Sequence, residues 1–591
     1  MKFSIIIIFC CAFIATFTTS THTATSVNTS KPTLQAEKVT INSSSDKKKK
    51  GTGYSVLKSE TIVENTIHLT NAGSLKNILS STELANTTAL TITGVIDARD
   101  FKTIRDEMNA LTVIDLSNVQ ISAYTGSDGT DTIGIYKNYA QNAIPQFAFW
   151  NSESHSIHLL SSIKLPSTLT AIGDCAFLAN ELQSLIIPSS VTAIGEYAFQ
   201  ECTGLTTLTI PPSVTHIGAY AFSLMQLTTI ELPASVTNME EYVFWGNNEL
   251  TSVTVAAKDL GIGAFIQCEK LNSVTLTNNV TYIGISAFED CIGLETISLP
   301  NSVSSVGDYL FWGCTSLKTI NLSESLESLS DNMFCMCFNL KEINLPASIS
   351  KINENAFWLS GLQSIHIPST IQEIGSGAFA YCSDLKTVYL PSSLEGLESA
   401  VFYNCTSLDS IILPDNIKYI KGSAFENCSS LSSIELPSSI NYIGSKVFYG
   451  CTSLKKIVAN KDTPIDLTVS DSVFYQVDKE MCTLYVPEGS ISDYQIANQW
   501  KDFLNIEAIE TTGINDELFS KIKVYTSNNS IIIQLPQVFH KVNVTVYDLN
   551  GRQISSLKTS NFITPVTINE SGIYLVRIEN GGQMRTEKVI I

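Results

Sequence analysis

The side chains best suited to chemistry in this 591-residue chain are its 14 cysteines. Thiols can pair as disulfides, ligate zinc or act as nucleophiles. The spacing suits none of these. No C-x-x-C pair supports a zinc site, and Cys335-Met-Cys337 stands alone. Instead Cys202, Cys268, Cys291, Cys314, Cys337, Cys382, Cys405, Cys428 and Cys451 each lie three residues after a phenylalanine. Where that place lacks cysteine it holds Met225, Asn247 or Ser360. This column predicts small, buried, reduced packing residues. A disulfide between neighbouring members of the column is the remaining alternative.

The other candidates are weaker. Of seven histidines, only His155-x-x-His158 has a metal-like spacing, and no third ligand stands near it. Ser127-Asp-Gly-Thr-Asp131 lacks the full spacing of a calcium loop and is expected to be a plain polar loop. No G-x-S-x-G, phosphate-binding loop or dinucleotide fingerprint occurs. The expectation is a protein that is not an enzyme and that needs no cofactor or metal. A formal net charge of −20 argues against nucleic acid and anionic membrane as main partners.

What positions these residues is a repeat. Phenylalanine returns every 21 to 23 residues from Phe177 to Phe448. One unit runs Leu182-Gln-Ser-Leu185-Ile-Ile187-Pro188, then Val191 and Ile194-Gly195, then Ala198-Phe199 and Cys202. The alternation at Leu185 and Ile187 predicts a strand with one buried face. Proline can end that strand because it donates no backbone hydrogen bond. Glycine often stands four residues before the phenylalanine, but Glu240, Glu398 and Lys421 share the place, so that turn does not demand positive φ. Such regularity specifies a solenoid, in which each coil buries the same side chain against its neighbours.

Over residues 163–457 the I-P, I-G, A-F and trailing cysteine signatures resemble the leucine-rich repeats of BspA-like surface proteins. The resemblance implies a repeat solenoid, a mainly β leucine-rich-repeat parallel β solenoid with strands on its concave side. Both ends differ from the repeats. Met1-Lys2 and the apolar run Phe3 to Phe17 predict a signal peptide over residues 1–22. This run is too short for a stable membrane span in the mature protein. Residues 23–54, with Lys47 to Lys50, predict a flexible linker. Residues 55–151 are expected to form an N-terminal cap with irregular repeats, residues 152–460 the repeats of about 23 residues, and residues 461–510 a C-terminal cap. Leu90-Thr-Ile-Thr-Gly and Leu111 to Leu116 are expected as strands, and Asp100 to Met108 as a helix. Ile491 to Phe503 is a further expected helix. Residues 515–591 carry short strands, among them Val544 to Leu549 before an Asn550-Gly551 turn and Gly572 to Ile578. They resemble the C-terminal sorting domain of type IX secretion, although Tyr525-Thr-Ser-Asn-Asn stands where that family shows Tyr-Pro-Asn-Pro. This resemblance implies a small immunoglobulin-like β-sandwich, the type IX secretion machinery as a partner, and a secreted or outer-cell-surface location.

Two columns remain as candidate ligand sites. At the fifth strand position the central coils carry the small polar residues Thr254, Thr275, Ser298, Asn321 and Asn344, but His366, Tyr389 and Ile412 form a bulky amphipathic island. Such residues are enriched in binding hot spots, and equally they suit strands. Directly after the repeat phenylalanine stand Trp245, Trp312, Trp358, Tyr403 and Tyr449. From Trp312 to Tyr449 the aromatic recurs on every second coil, about 10 Å apart at the usual strand spacing. The ladder could stack on sugar rings or clasp an extended protein; the plainer reading is that large rings cover small residues such as Ala380. The expected function is that of a secreted or surface adhesin binding extracellular proteins or glycans of host or neighbouring cells. A glycan-capturing surface protein and a structural surface component without a specific ligand are the alternatives.

Overall fold

The computed structural model describes residues 63–131, 136–151, 156–157, 160–509 and, in seven segments, most of 522–590. The signal peptide and linker expected over residues 1–54 lie outside the described residues, as does the His155-x-x-His158 pair. The chain builds a parallel β solenoid of about 19 turns, followed by a β-sandwich.

Each regular coil has three segments. The first is the expected strand, formed in most coils and reduced to a single bridge at Ser184, Thr207 and Ser410; in Thr229–Leu232, Ile230 and Leu232 are buried and Thr229 and Glu231 exposed. Equivalent residues of successive coils pair in parallel, as in Glu231 with Thr254 and Thr254 with Thr275. A turn follows in which the proline carbonyl accepts from the amide three residues on, as from Val191 to Pro188 at 3.0 Å. The second segment is a two-residue strand, such as Ala193–Ile194, paired with its equivalents Ala171–Ile172 and His216–Ile217. The third is the phenylalanine turn, which has a ladder of its own. In the coil of Phe199, the amides of Tyr197, Phe199 and Glu201 donate to Ala219, Ala221 and Ser223 of the next coil at 2.8–3.0 Å.

That third ladder requires left-handed backbone two residues either side of the phenylalanine. Tyr197 and Glu201 have φ of 55° and 59°, and Tyr220 and Leu224 have 58° and 55°. For a residue with a Cβ this conformation costs about 1–2 kcal/mol. The inter-coil hydrogen bonds hold it in place. The glycine that recurs four residues before the phenylalanine serves another need. A Cβ on Gly218 would lie 2.5 Å from the Glu196 nitrogen, so glycine is there to let coils approach.

Inside, the phenylalanine rings are fully buried and stacked face to face without a break from Phe149 to Phe474. Centroid separations at Phe177–Phe199 and Phe288–Phe311 are 5.2 Å and 5.9 Å. The ladder is closed at each end by rings set across it. Phe101 meets Phe149 edge-on at 79°, and Phe503 meets Phe474 at 81°.

At the N-terminal end β1 (Glu64–Leu69), β2 (Ala89–Ile96) and β3 (Val113–Ile121) pair in parallel and continue into Ser162–Lys164. Short helices fill the return paths, the longest being α1 (Ala98–Glu107). The buried Asp100 carboxylate accepts from the amides of Gly73, Leu75 and Asp97 at 2.6–3.0 Å, which ties the first return path to α1.

At the C-terminal end the expected helix over Ile491 to Phe503 shrinks to α2 (Ile491–Tyr494). The cause is Gln499, at φ 64°. Its amide group donates to the carbonyls of Leu467 and Ser470 and accepts from the Val473 amide at 2.5–3.1 Å. A continuing helix would carry this side chain away from the open backbone of the last coil. The final segment forms two antiparallel sheets of three and four strands, Lys523–Ser527 through Gln583–Ile590. They enclose a separate core that includes Ile531, Ile533, Val544, Val546 and Val576.

Candidate binding surfaces on the solenoid

The cysteine column is structural. All twelve described cysteines are free thiols. In the column each Sγ points to the carbonyl of the preceding coil's phenylalanine, as Cys202 to Phe177 at 3.0 Å and Cys405 to Phe379 at 3.1 Å. Asn247, standing in for cysteine, donates its amide to the Phe222 carbonyl at 2.8 Å. In most coils the place therefore holds a buried donor, and Met225 fills it by packing alone. Burial pushes the thiols of Cys202, Cys268, Cys382 and Cys451 up to about 12 from an ordinary value of 9.0. Since the thiolate is the reactive form, these groups are inert while folded.

Two outcomes follow. The folded protein is expected to resist a thiol reagent at pH 8, and the twelve described cysteines should react once denaturant is added. Rapid labelling of several cysteines in the folded state would contradict this burial. The pH dependence has a definite sign, because the folded thiols have raised values. Their stabilising contribution is complete below pH 9.0 and is lost as pH climbs toward about 12.

The loop Ser127 to Asp131 is pinned by cations from the protein itself. Asp131 pairs with Lys137 at 2.9 Å, and buried Arg105 donates to the Thr130 carbonyl at 2.5 Å. Its groups are thereby engaged as a polar loop.

The strand-face island is assembled as a pair plus a neighbour. His366 on Ser364–His366 is in register with Tyr389 on Thr387–Tyr389, and their rings lie 6.1 Å apart at 37°. His366 is exposed and Tyr389 half-buried, and burial raises the Tyr389 phenol above its ordinary value. Ile412 takes the same place one coil on and is half-buried. Ile186, at the equivalent place near the start, is 85% exposed.

The aromatic ladder belongs to the phenylalanine turns, a different segment of each coil. Its rings are half-buried, and most of them meet a tyrosine of an adjacent coil. Tyr381, on the coil between Trp358 and Tyr403, meets both edge-on, at 5.6 Å and 73° and at 5.2 Å and 65°. Burial, then the neighbouring Tyr381, pushes the Tyr403 phenol up to about 12. Trp245 meets Tyr220 at 82° and donates its indole N–H to Gln267 at 2.9 Å. Tyr449 stacks on Tyr475 at 5.0 Å and 22°. Trp312 is half-buried, and its carbonyl accepts from the Asp290 amide at 2.8 Å. Interleaved rings such as Tyr381 escaped the sequence reading because they sit two residues beyond the phenylalanine, not one. The available signal was the recurrence of tyrosine at the left-handed positions: Tyr197, Tyr220, Tyr242, Tyr309 and Tyr381.

Among the described residues no helix is long and apolar enough to cross a membrane. The family model of the BspA type leucine rich repeat region matches residues 119–251, 246–363 and 351–480. The model of the secretion system C-terminal sorting domain matches residues 526–591. A solved leucine-rich repeat protein from Bacteroides ovatus ATCC 8483 is 26% identical, covering 64% of this chain and 92% of its own, with a TM-score of 0.48. A leucine rich cell surface protein from Faecalibacterium prausnitzii A2-165 is 27% identical, covering 55% and 84%, with a TM-score of 0.35. The pneumococcal vaccine antigen PcpA is 22% identical, covering 65% and 88%, with a TM-score of 0.34. No curated protein matches the chain. The sorting domain implies an outer-surface or secreted location and engagement with the type IX secretion machinery. With its repeats matched from residue 119 to 480, the chain belongs to the BspA-type leucine-rich repeat family and carries a type IX C-terminal sorting domain.

Proposed function

We propose that the protein is an adhesin: it binds extracellular macromolecules through its solenoid and acts by binding, not by catalysis. The observation that carries this reading is the strand face. It is a stack of in-register, mostly small polar side chains interrupted by the exposed His366 beside Tyr389. An amphipathic pair of this kind, set among mainly polar side chains on a surface protein, is suited to a protein partner. The glycan reading has less support, because Tyr381 fills the gap that the ladder would offer to a sugar ring.

The test is a panel of immobilised matrix proteins and a glycan array probed with the full chain. Saturable binding to at least one matrix protein is expected. His366→Ala with Tyr389→Ser should weaken it about tenfold or more, as for a hot spot. Binding to neither class would favour a structural surface component.

A further inference from the structure

We draw no further inference here: the strongest candidate, the acidic cleft lined by Asp331, Lys351, Asn353, Glu354, Glu373 and Glu398 along the short second strands of the coils, carries nothing because Glu373 and Glu398 are already paired with Lys351 and Lys421, its unpartnered Asn353 Oδ1 sits on a residue that is only half-buried, and what remains is an acidic cluster in which nothing points to a ligand.

Discussion

Phe311→Ala is expected to destabilise the solenoid by about 3–5 kcal/mol, the usual cost of removing a buried phenylalanine ring. Phe311 is fully buried and stacked on both sides, on Phe288 at 5.9 Å and 9° and on Phe334 at 5.7 Å and 13°. The substitution opens a cavity at the middle of the ladder and removes two ring contacts at once. Each such contact contributes about 0.5–1.5 kcal/mol beyond area burial. In a solenoid every coil meets only its neighbours, so the weakened joint divides the array. Urea unfolding followed by circular dichroism should therefore show a lower midpoint and a broader or split transition. Phe311→Leu keeps most of the volume and should cost about 1.5 kcal/mol or less. A loss below about 1 kcal/mol for the alanine variant would mean that the ladder lines the core without holding the coils together.

The features read correctly from sequence are those in which one residue answers one need in every coil. Phe199 and its equivalents fill the centre, Pro233 ends the strand Thr229–Leu232, and Cys202 supplies a small buried donor. Each need recurs about every 23 residues, so its residue type shows up as a period. The left-handed positions show no single residue type, although tyrosine recurs at several of them. They are shared by Tyr197, Leu224, Lys446 and Gly377, because inter-coil hydrogen bonds of the backbone impose the conformation whatever the side chain. The same gap hid Tyr381, whose place between Trp358 and Tyr403 depends on the turn geometry of the intervening coil. The register of His366 with Tyr389, by contrast, was implicit in the repeat length, since equal spacing aligns equal strand positions. At the C-terminal end the segment from Ile491 to Phe503 is expected as a helix, yet the open edge of the last coil takes up Gln499 and the helix stops at Tyr494. Local propensity lost there to the unpaired backbone groups of a solenoid terminus.

That terminus is the second place where a large effect is expected. Trp500→Ala should cost about 3–5 kcal/mol, and the loss should be local. Trp500 is fully buried in the cap, packed on Phe474 at 5.0 Å and 59° and on Tyr494 at 5.4 Å and 80°. Its indole N–H donates to the Ile465 carbonyl at 2.9 Å. The alanine variant uncovers the last ring of the ladder and leaves that carbonyl without its donor. A repeat without its cap exposes apolar surface and open strand edges that can pair with another chain. Hydrogen exchange should therefore lose protection first in the coils of Phe448 and Phe474, while the coils of Phe177 and Phe199 keep theirs. Sedimentation should show stronger concentration-dependent association than that of the parent protein. Trp500→Phe restores the ring but not the N–H, so it should recover all but about 1–3 kcal/mol, the cost of an unsatisfied buried carbonyl. Uniform loss of protection along the chain would show that the array unfolds as one unit, with the cap stabilising every coil alike. Loss confined to the last coils would show that the ladder is held joint by joint and that Trp500 guards only the final one.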